Sequence, residues 1–183
     1  PPGVYQILWD VQDVTRGRWL EPEGDAEAIS APIELGPGLW QPEQLDIMES
    51  RSAVFGGWAE LLGYRLEGEA LPGRTLSLTL FWRAIDRAQT RYTVFTHLVD
   101  ESGRLWTQKD NEPVNGFYPT TVWSAGELVR DPYRIPIPAD IPAGEYVLRV
   151  GLYDAGSGSR EPVMGESAAP AGDSVELLTM SIR

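Results

Sequence analysis

The stretch 74–83 reads RTLSLTLFWR. Leu76, Leu78, Leu80 and Trp82 fall on one side of an extended chain, and Thr75, Ser77 and Thr79 on the other. This two-residue period, built from aliphatic, aromatic and β-branched side chains, is the pattern of a half-buried strand. The pattern recurs along the chain. In 145–153 (EYVLRVGLY), Tyr146, Leu148, Val150 and Leu152 form the inner row. The stretch 92–99 (YTVFTHLV), the loop Asp100-Glu101-Ser102-Gly103 and the stretch 104–110 (RLWTQKD) read as a hairpin with a short Gly-containing turn. In 129–137 (VRDPYRIPI), Tyr133, Ile135 and Ile137 alternate, but Pro132 and Pro136 remove ladder donors. That stretch is therefore predicted to be an edge or bulged strand. The stretch 174–182 closes the chain as a further strand, and 58–66 (WAELLGYRL) opens the complete domain.

Between these segments lie Leu71-Pro72-Gly73, Ser102-Gly103, Ile141-Pro142-Ala143-Gly144 and Gly156-Ser157-Gly158. The 19 Gly and 15 Pro of the 183 residues punctuate turns rather than mark disorder, because 42% of the chain is hydrophobic. Many short strands with little helical periodicity define an all-β chain, an antiparallel β-sandwich of jelly-roll-like kind. The one helical prospect is a turn or two at 42–49, where Pro42 precedes Leu45, Ile47 and Met48. The loop 111–126 (NEPVNGFYPTTVWSAG) exceeds the ~12 structureless residues usual in a compact domain. It carries Phe117, Tyr118 and Trp123.

Residues 1–18 (PPGVYQILWDVQDVTRGR) echo residues 142–159 (PAGEYVLRVGLYDAGSGS) at a fixed offset. Pro1, Gly3, Tyr5, Asp13 and Gly17 match Pro142, Gly144, Tyr146, Asp154 and Gly158. Fixed-offset similarity is the mark of a repeat. On that reading, 1–49 is an N-terminal hairpin segment, the end of an upstream copy, and 50–183 is the complete β-sandwich domain. On the other reading, two hairpins of one sandwich merely look alike. An orphan edge of an incomplete copy would extend this domain's sheet or self-associate with another molecule. The chain opens on Pro1 without a charged leader, which fits a mature secreted protein or a piece of something larger. No apolar run approaches the ~18 residues of a membrane span.

Composition excludes several chemistries. There is no Cys and one His, which removes disulfide frameworks, thiol chemistry and multi-His metal sites. A net charge of −12 repels phosphate backbones, so nucleic acid is not an expected partner. No P-loop, GxGxxG or HExxH is present. His97 shares a strand face with Phe95 and Val99 and reads as a structural or surface residue. The nearest approach to a nucleophile elbow, Gly165-Glu166-Ser167-Ala168-Ala169, lacks the closing Gly. With 27 acidic residues, some carboxylate pair is inevitable in any fold, and none is marked as opposed. No catalytic residue is assigned, and a glycoside-active enzyme ranks third among the functions considered.

Two binding sets remain. Asp110, Asn111, Glu112 and Asn115, ahead of Gly116, are a run of oxygen donors for Ca²⁺ that departs from the EF-hand order. Ordinary Asx turns account for them equally well, and no other cofactor is expected. The second set is Trp106, Gln108, Asp110, Tyr118, Trp123 and Arg160. Flat rings beside Asp, Gln and Arg suit stacking on sugar rings and hydrogen bonding to hydroxyls. The competing reading, and for the loop aromatics the favoured one, is that they plug one end of the sandwich.

The stretch VFTHLVDESGRLWTQKDNEPVNGFYPTTVWSAGELVRDPYRIPIPADIPAGEYVLRVGLYD carries a resemblance. The matching pieces are 94–100 with Gly103, then Gln108, Asp110, Pro113, Gly116, Pro119-Thr120, Trp123, Gly126-Glu127 and Asp131. Gly144, Tyr146 and Gly151-Leu152-Tyr153-Asp154 complete it. Over about 50–160 the chain resembles the soluble β-sandwich domains C-terminal to the membrane portion of bacterial polytopic glycosyltransferases, the dolichyl-phosphate-mannose-protein-mannosyltransferase-like proteins. The resemblance implies an extracytoplasmic, cell-envelope domain tethered to a membrane through segments outside this chain, facing a glycan or a lipid-linked sugar. It brings no catalytic residues. The expected function is a non-catalytic accessory or carbohydrate-recognition module of a membrane glycosyltransferase. The alternative is a structural or protein-interaction sandwich in a tandem surface array.

Overall fold

The computed structural model describes residues 45–165 and 169–183 in full. Ahead of them it describes the backbone of four short strands, β1 (Val4–Tyr5), β2 (Val11–Asp13), β3 (Arg18–Leu20) and β4 (Ile33–Glu34). The chain divides into two compact units, Pro1–Pro37 and Gly38–Arg183. In the first, β1 pairs with β4 and β2 with β3, both antiparallel. Most of the echo with 142–159, and the repeat inferred from it, falls on residues outside those described.

The described residues of the second unit hold ten strands: β5 (Glu49–Phe55), β6 (Ala59–Glu67), β7 (Thr75–Ala84), β8 (Tyr92–Asp100), β9 (Leu105–Asn111), β10 (Leu128–Pro136), β11 (Gly144–Asp154), β12 (Val163–Met164), β13 (Pro170–Gly172) and β14 (Val175–Ile182). They form two antiparallel sheets, one in the order β10-β7-β6-β5-β12-β13 and the other β14-β11-β8-β9. The fold is an all-β sandwich. The alternating rows face each other across its core: Leu76, Leu78, Leu80 and Trp82 of β7, and Tyr146, Leu148, Val150 and Leu152 of β11, are all buried. Burying each such side chain is worth about 1.5–3 kcal/mol, so the period-two pattern accounts for the choice of face.

β10 lies at a sheet edge and pairs with β7 alone, in step from Leu128↔Arg83 to Pro136↔Thr75. Of the two expectations for this proline-bearing strand, edge and bulge, the structure takes the edge. The helical turn expected at 42–49 is not found in its described part. Residues 45–48 are irregular, Glu49 already belongs to β5, and the Met48 N–H donates to the Tyr64 carbonyl at 3.2 Å. One helical turn carries the full nucleation cost, and joining an existing ladder does not. β5 itself, ESRSAVF, exposes its first four residues and fully buries only Phe55, so alternation gave no sign of it.

The loop 111–126 is structured. It contains two short turns, Pro113–Gly116 and Thr120–Val122. Val114 and Asn115 both sit in the left-handed region, at φ 54° and 55°. A β-branched residue there is strained and persists only when its surroundings hold it. The Val114 N–H donates to Asp131 Oδ1 at 2.8 Å, which supplies that hold.

Candidate functional site

The loop aromatics turn inward. Trp123 is 2% exposed and packs in the core, with its ring 6.1 Å from Trp58 and its Nε1 donating to the Tyr118 carbonyl at 3.1 Å. Tyr118 is half-buried, and its hydroxyl donates to Glu127 Oε1 at 2.5 Å. Burial, then the Glu127 carboxylate, pushes the Tyr118 phenol well above its ordinary range. Glu127 Oε2 accepts from the Ser124 N–H at 2.8 Å. Trp106 is also half-buried. It packs against the core, meets Tyr146 edge-on at 6.2 Å, donates to Asp100 Oδ2 at 2.8 Å and carries the Arg104 guanidinium over its ring at 4.2 Å. These three rings do not form an open stacking platform, because core burial outweighs their exposure on the loop. Two oxygen donors of the proposed cation set, Asn115 Oδ1 and Glu112 Oε2, take protein partners. Asn111 Nδ2 donates to Asn115 Oδ1 at 2.8 Å, and Arg91 donates twice to Glu112 Oε2. Among the described residues, no group of three acidic or His side chains is placed to hold a metal ion.

The other three predicted ligand residues, Gln108, Asp110 and Arg160, come to a different place. Directly opposed residues of an antiparallel pair share a face. His97 stands between Gln108 of β9 and Arg149 of β11, and Phe95 between Asp110 and Gly151. Val94 and Leu98 of the same strand point into the core, so the row Phe95, His97 and Val99 faces away from it. On this outer face lies a cavity of about 310 Å³ lined by Phe95, His97, Val99, Leu105, Arg149 and Arg160, among others. Its size is at the lower end of the ~300–1,000 Å³ of small-molecule sites.

Local sequence explains the floor. Phe95 lies flat across Gly151, where an added Cβ would come within 2.3 Å of Phe95 Cζ. Gly is required there for close approach rather than for backbone freedom. Arg160 covers the ring at 4.5 Å and donates from Nη1 to Asp173 Oδ2 at 3.2 Å. The turn 154–160 brings Arg160 back, through a bridge between Tyr153 and Arg160 and a hydrogen bond from the Gly158 N–H to the Asp154 carbonyl at 2.7 Å. Arg149 Nη2 donates to Glu176 Oε1 at 2.6 Å.

The polar atoms of this face are not all satisfied. His97 Nε2 lies 3.5 Å from Asp110 Oδ1, a contact too long for a hydrogen bond. Both atoms, together with Arg149 Nε, are buried and have no hydrogen-bond partner among the described residues. Among the described residues, one further buried side-chain atom shares that condition, Arg65 Nε, which lies on β6 in the other sheet. Orphaned buried polar atoms are uncommon enough in native proteins that two on cavity-lining residues, His97 and Arg149, with a third beside them call for a ligand or bound water. Burial, reinforced by Arg160 and opposed by Asp110, lowers the His97 pKa from its ordinary value, so the imidazole is neutral at pH 7. Ser174 lines the same cavity, but His97 Nε2 has no hydroxyl partner.

The most deeply buried carboxylate among the described residues lay outside both predicted sets. Asp131, on β10, is fully buried. It accepts from Val114 N–H, from Trp82 Nε1 at 3.3 Å and from the Tyr133 hydroxyl at 2.7 Å. Desolvation lifts its pKa to about 6 against the pull of these donors. It clamps the strained loop to the core. The signal in sequence was Asp131 standing in register with Val129, Tyr133 and Ile135 on an otherwise apolar row.

The molecule is thus an antiparallel β-sandwich with a polar cavity on the outer face of its four-stranded sheet. No protein-family model matches the chain, and no curated protein does. Among solved structures it is similar to the C-terminal domain of wzt, with a TM-score of 0.50 and 13% sequence identity over 81% of this chain and 82% of that one. At that identity the likeness concerns the fold. It agrees with the sandwich expected from the sequence and does not extend to the glycosyltransferase context implied by the resemblance.

Proposed function

We propose that this domain is a non-catalytic carbohydrate-recognition module, and that it binds through the outer face of β9, β8 and β11 rather than through the loop 111–126. The observation that carries this reading is a pair of unpartnered polar atoms, His97 Nε2 and Arg149 Nε, on residues that line one cavity, with a third, Asp110 Oδ1, 3.5 Å from His97 Nε2. Sugar recognition needs a few fixed donors and acceptors beside apolar surface for the ring C–H groups. Val99 and Leu105 supply the apolar part, and Leu105 is 44% exposed. The sequence resemblance supports an extracytoplasmic setting, as an accessory of a membrane-tethered glycosyltransferase that presents a glycan or lipid-linked sugar. Burial of Trp123 favours the competing reading, a structural sandwich, which expects no glycan binding at all.

A glycan array followed by titration decides between them. The expected affinity is that of a single small site, with Kd from millimolar to tens of micromolar, about 4–6 kcal/mol. Arg149→Gln should weaken binding about tenfold or more while the thermal transition stays in place. Absence of binding across the array, or binding unaffected by Arg149→Gln, overturns the reading.

A further inference from the structure

We infer that the outer-face site takes an uncharged glycan segment, selecting against acidic sugars, and that it holds this ligand only while His97 is unprotonated. The inference rests on the carbohydrate reading above and adds a ligand class and a condition for binding.

The cations of the face are matched within the protein. Arg149 is engaged by Glu176 and Arg160 by Asp173, and Asp110, facing a neutral His97, adds a further negative charge. No cation of the cavity is left over to receive a carboxylate or phosphate. An anion placed against Arg149 Nε would also approach Asp110 and Asp173, in a chain that already carries a net charge of −12. The unspent groups are one donor, Arg149 Nε, one acceptor, Asp110 Oδ1, and the His97 nitrogen beside it. A hydroxyl both donates and accepts, so a polyol satisfies this mixed set without importing charge. Neighbouring hydroxyls on a sugar ring match donors and acceptors that stand side by side on adjacent strands.

His97 sits where a proton would close the site. Its neighbours are Asp110 and Gln108 from β9, Arg149 from β11, and Arg160 and Asp173 from the segments flanking the short strands β12 and β13. Glu176 of β14 lies behind Arg149. A protonated imidazole draws Asp110 across the 3.5 Å gap into a charge-assisted hydrogen bond. That contact spends two of the three free groups and sets a third cation beside Arg149 and Arg160. Burial already disfavours this state, so the neutral form is the resting one at pH 7.

The test uses the whole chain and two sets of probes of equal length, neutral trisaccharides (mannotriose, maltotriose, cellotriose) and the acidic trigalacturonate, titrated by calorimetry at pH 7.5 and pH 5. Binding of at least one neutral probe, with trigalacturonate at least tenfold weaker, is the expected result. The affinity of the neutral probe should then be lower at pH 5 than at pH 7.5. In His97→Gln, whose side chain does not titrate, affinity should be independent of pH whatever its value. Circular dichroism at both pH values confirms that the fold persists. Tighter binding of trigalacturonate, or a pH dependence that survives His97→Gln, overturns the inference and leaves the carbohydrate reading intact. Binding of neither probe set by a folded protein, the result expected if the three orphaned atoms hold only water, removes both.

Discussion

The loop 111–126 and the outer face of the four-stranded sheet draw on the same kinds of residue, aromatic rings beside acidic and basic groups. They end in opposite states. In the loop region no buried side-chain polar atom lacks a partner: Trp123 is answered by the Tyr118 carbonyl and Tyr118 by Glu127, which also accepts from the Ser124 N–H, while Asp131 accepts from the Val114 N–H. Thr120, fully buried, donates to the Thr90 carbonyl at 3.0 Å and accepts from the Tyr92 N–H at 3.0 Å. On the outer face His97, Asp110 and Arg149 each keep an atom without a partner. A satisfied network rigidifies and specifies a fold, whereas an unsatisfied one is free to recognise something else. Several residues that carry the sequence resemblance, Trp123, Glu127 and Asp131 among them, belong to the satisfied network. A pattern of this kind reports loop architecture and is silent on the ligand.

The sharpest way to break the contrast is through Asp131. Asp131→Ala strands three donors, the Val114 N–H, Trp82 Nε1 and the Tyr133 hydroxyl, in the core. Each lost partner costs about 1–3 kcal/mol, so urea unfolding should show a loss of about 3–9 kcal/mol. Trp123→Ala should follow closely, at about 3–5 kcal/mol, because it empties a well-packed volume. In whatever fraction remains folded, neither variant should lose ligand affinity. A Trp123→Ala protein that is stable but no longer binds would return recognition to the loop.

The next effect is one of pH. Asp131 titrates at about 6 in the folded chain against 3.8 for the free group, so the folded state holds the proton more tightly. Its contribution to stability is therefore full below about pH 4 and is lost as pH rises through about 6, a change of roughly 3 kcal/mol. Asp100 and Asp154 act in the opposite sense. Ser102 and Trp106 hold Asp100 at about 2, and the Gly156 N–H with Ser157 lowers Asp154, so acid below pH 4 removes their contribution. The Asp131 contribution should thus make stability rise from pH 7 towards about pH 4.5, against the loss over the same range from His97 with its lowered pKa, before Asp100 and Asp154 bring it down. Asp131→Asn should flatten the rise, and an unchanged profile in that variant would assign it elsewhere. The smallest effect belongs to the face. Arg160→Gln removes an exposed ion pair and should alter stability by less than about 1 kcal/mol while weakening the ligand. A large stability loss there would make the cavity structural and erase the contrast.

Much of the sandwich was legible along the chain, because an alternating row of Leu, Val, Tyr and Trp has only one way to bury itself against a partner sheet. β7, β8, β9, β10, β11 and β14 follow from that, as does the edge position of the proline-bearing β10. The strands that escaped notice, β5, β12 and β13, are short or polar and are held by ladder bonds to neighbours that no local pattern announces. The binding residues divided along the same line. That Gln108, Asp110 and Arg160 carry polar heads near strand ends could be read directly. That Arg149 and His97 join them depends on the register of β8 with β11 and β9, which pairs residues 52 positions apart. The inward turn of Trp123 was decided by packing, since a ring on a loop goes wherever burial is worth most. Sequence alone set which strands form and which face of each is apolar. Only the tertiary structure decided which polar groups meet partners, because that depends on contacts between segments far apart in the chain.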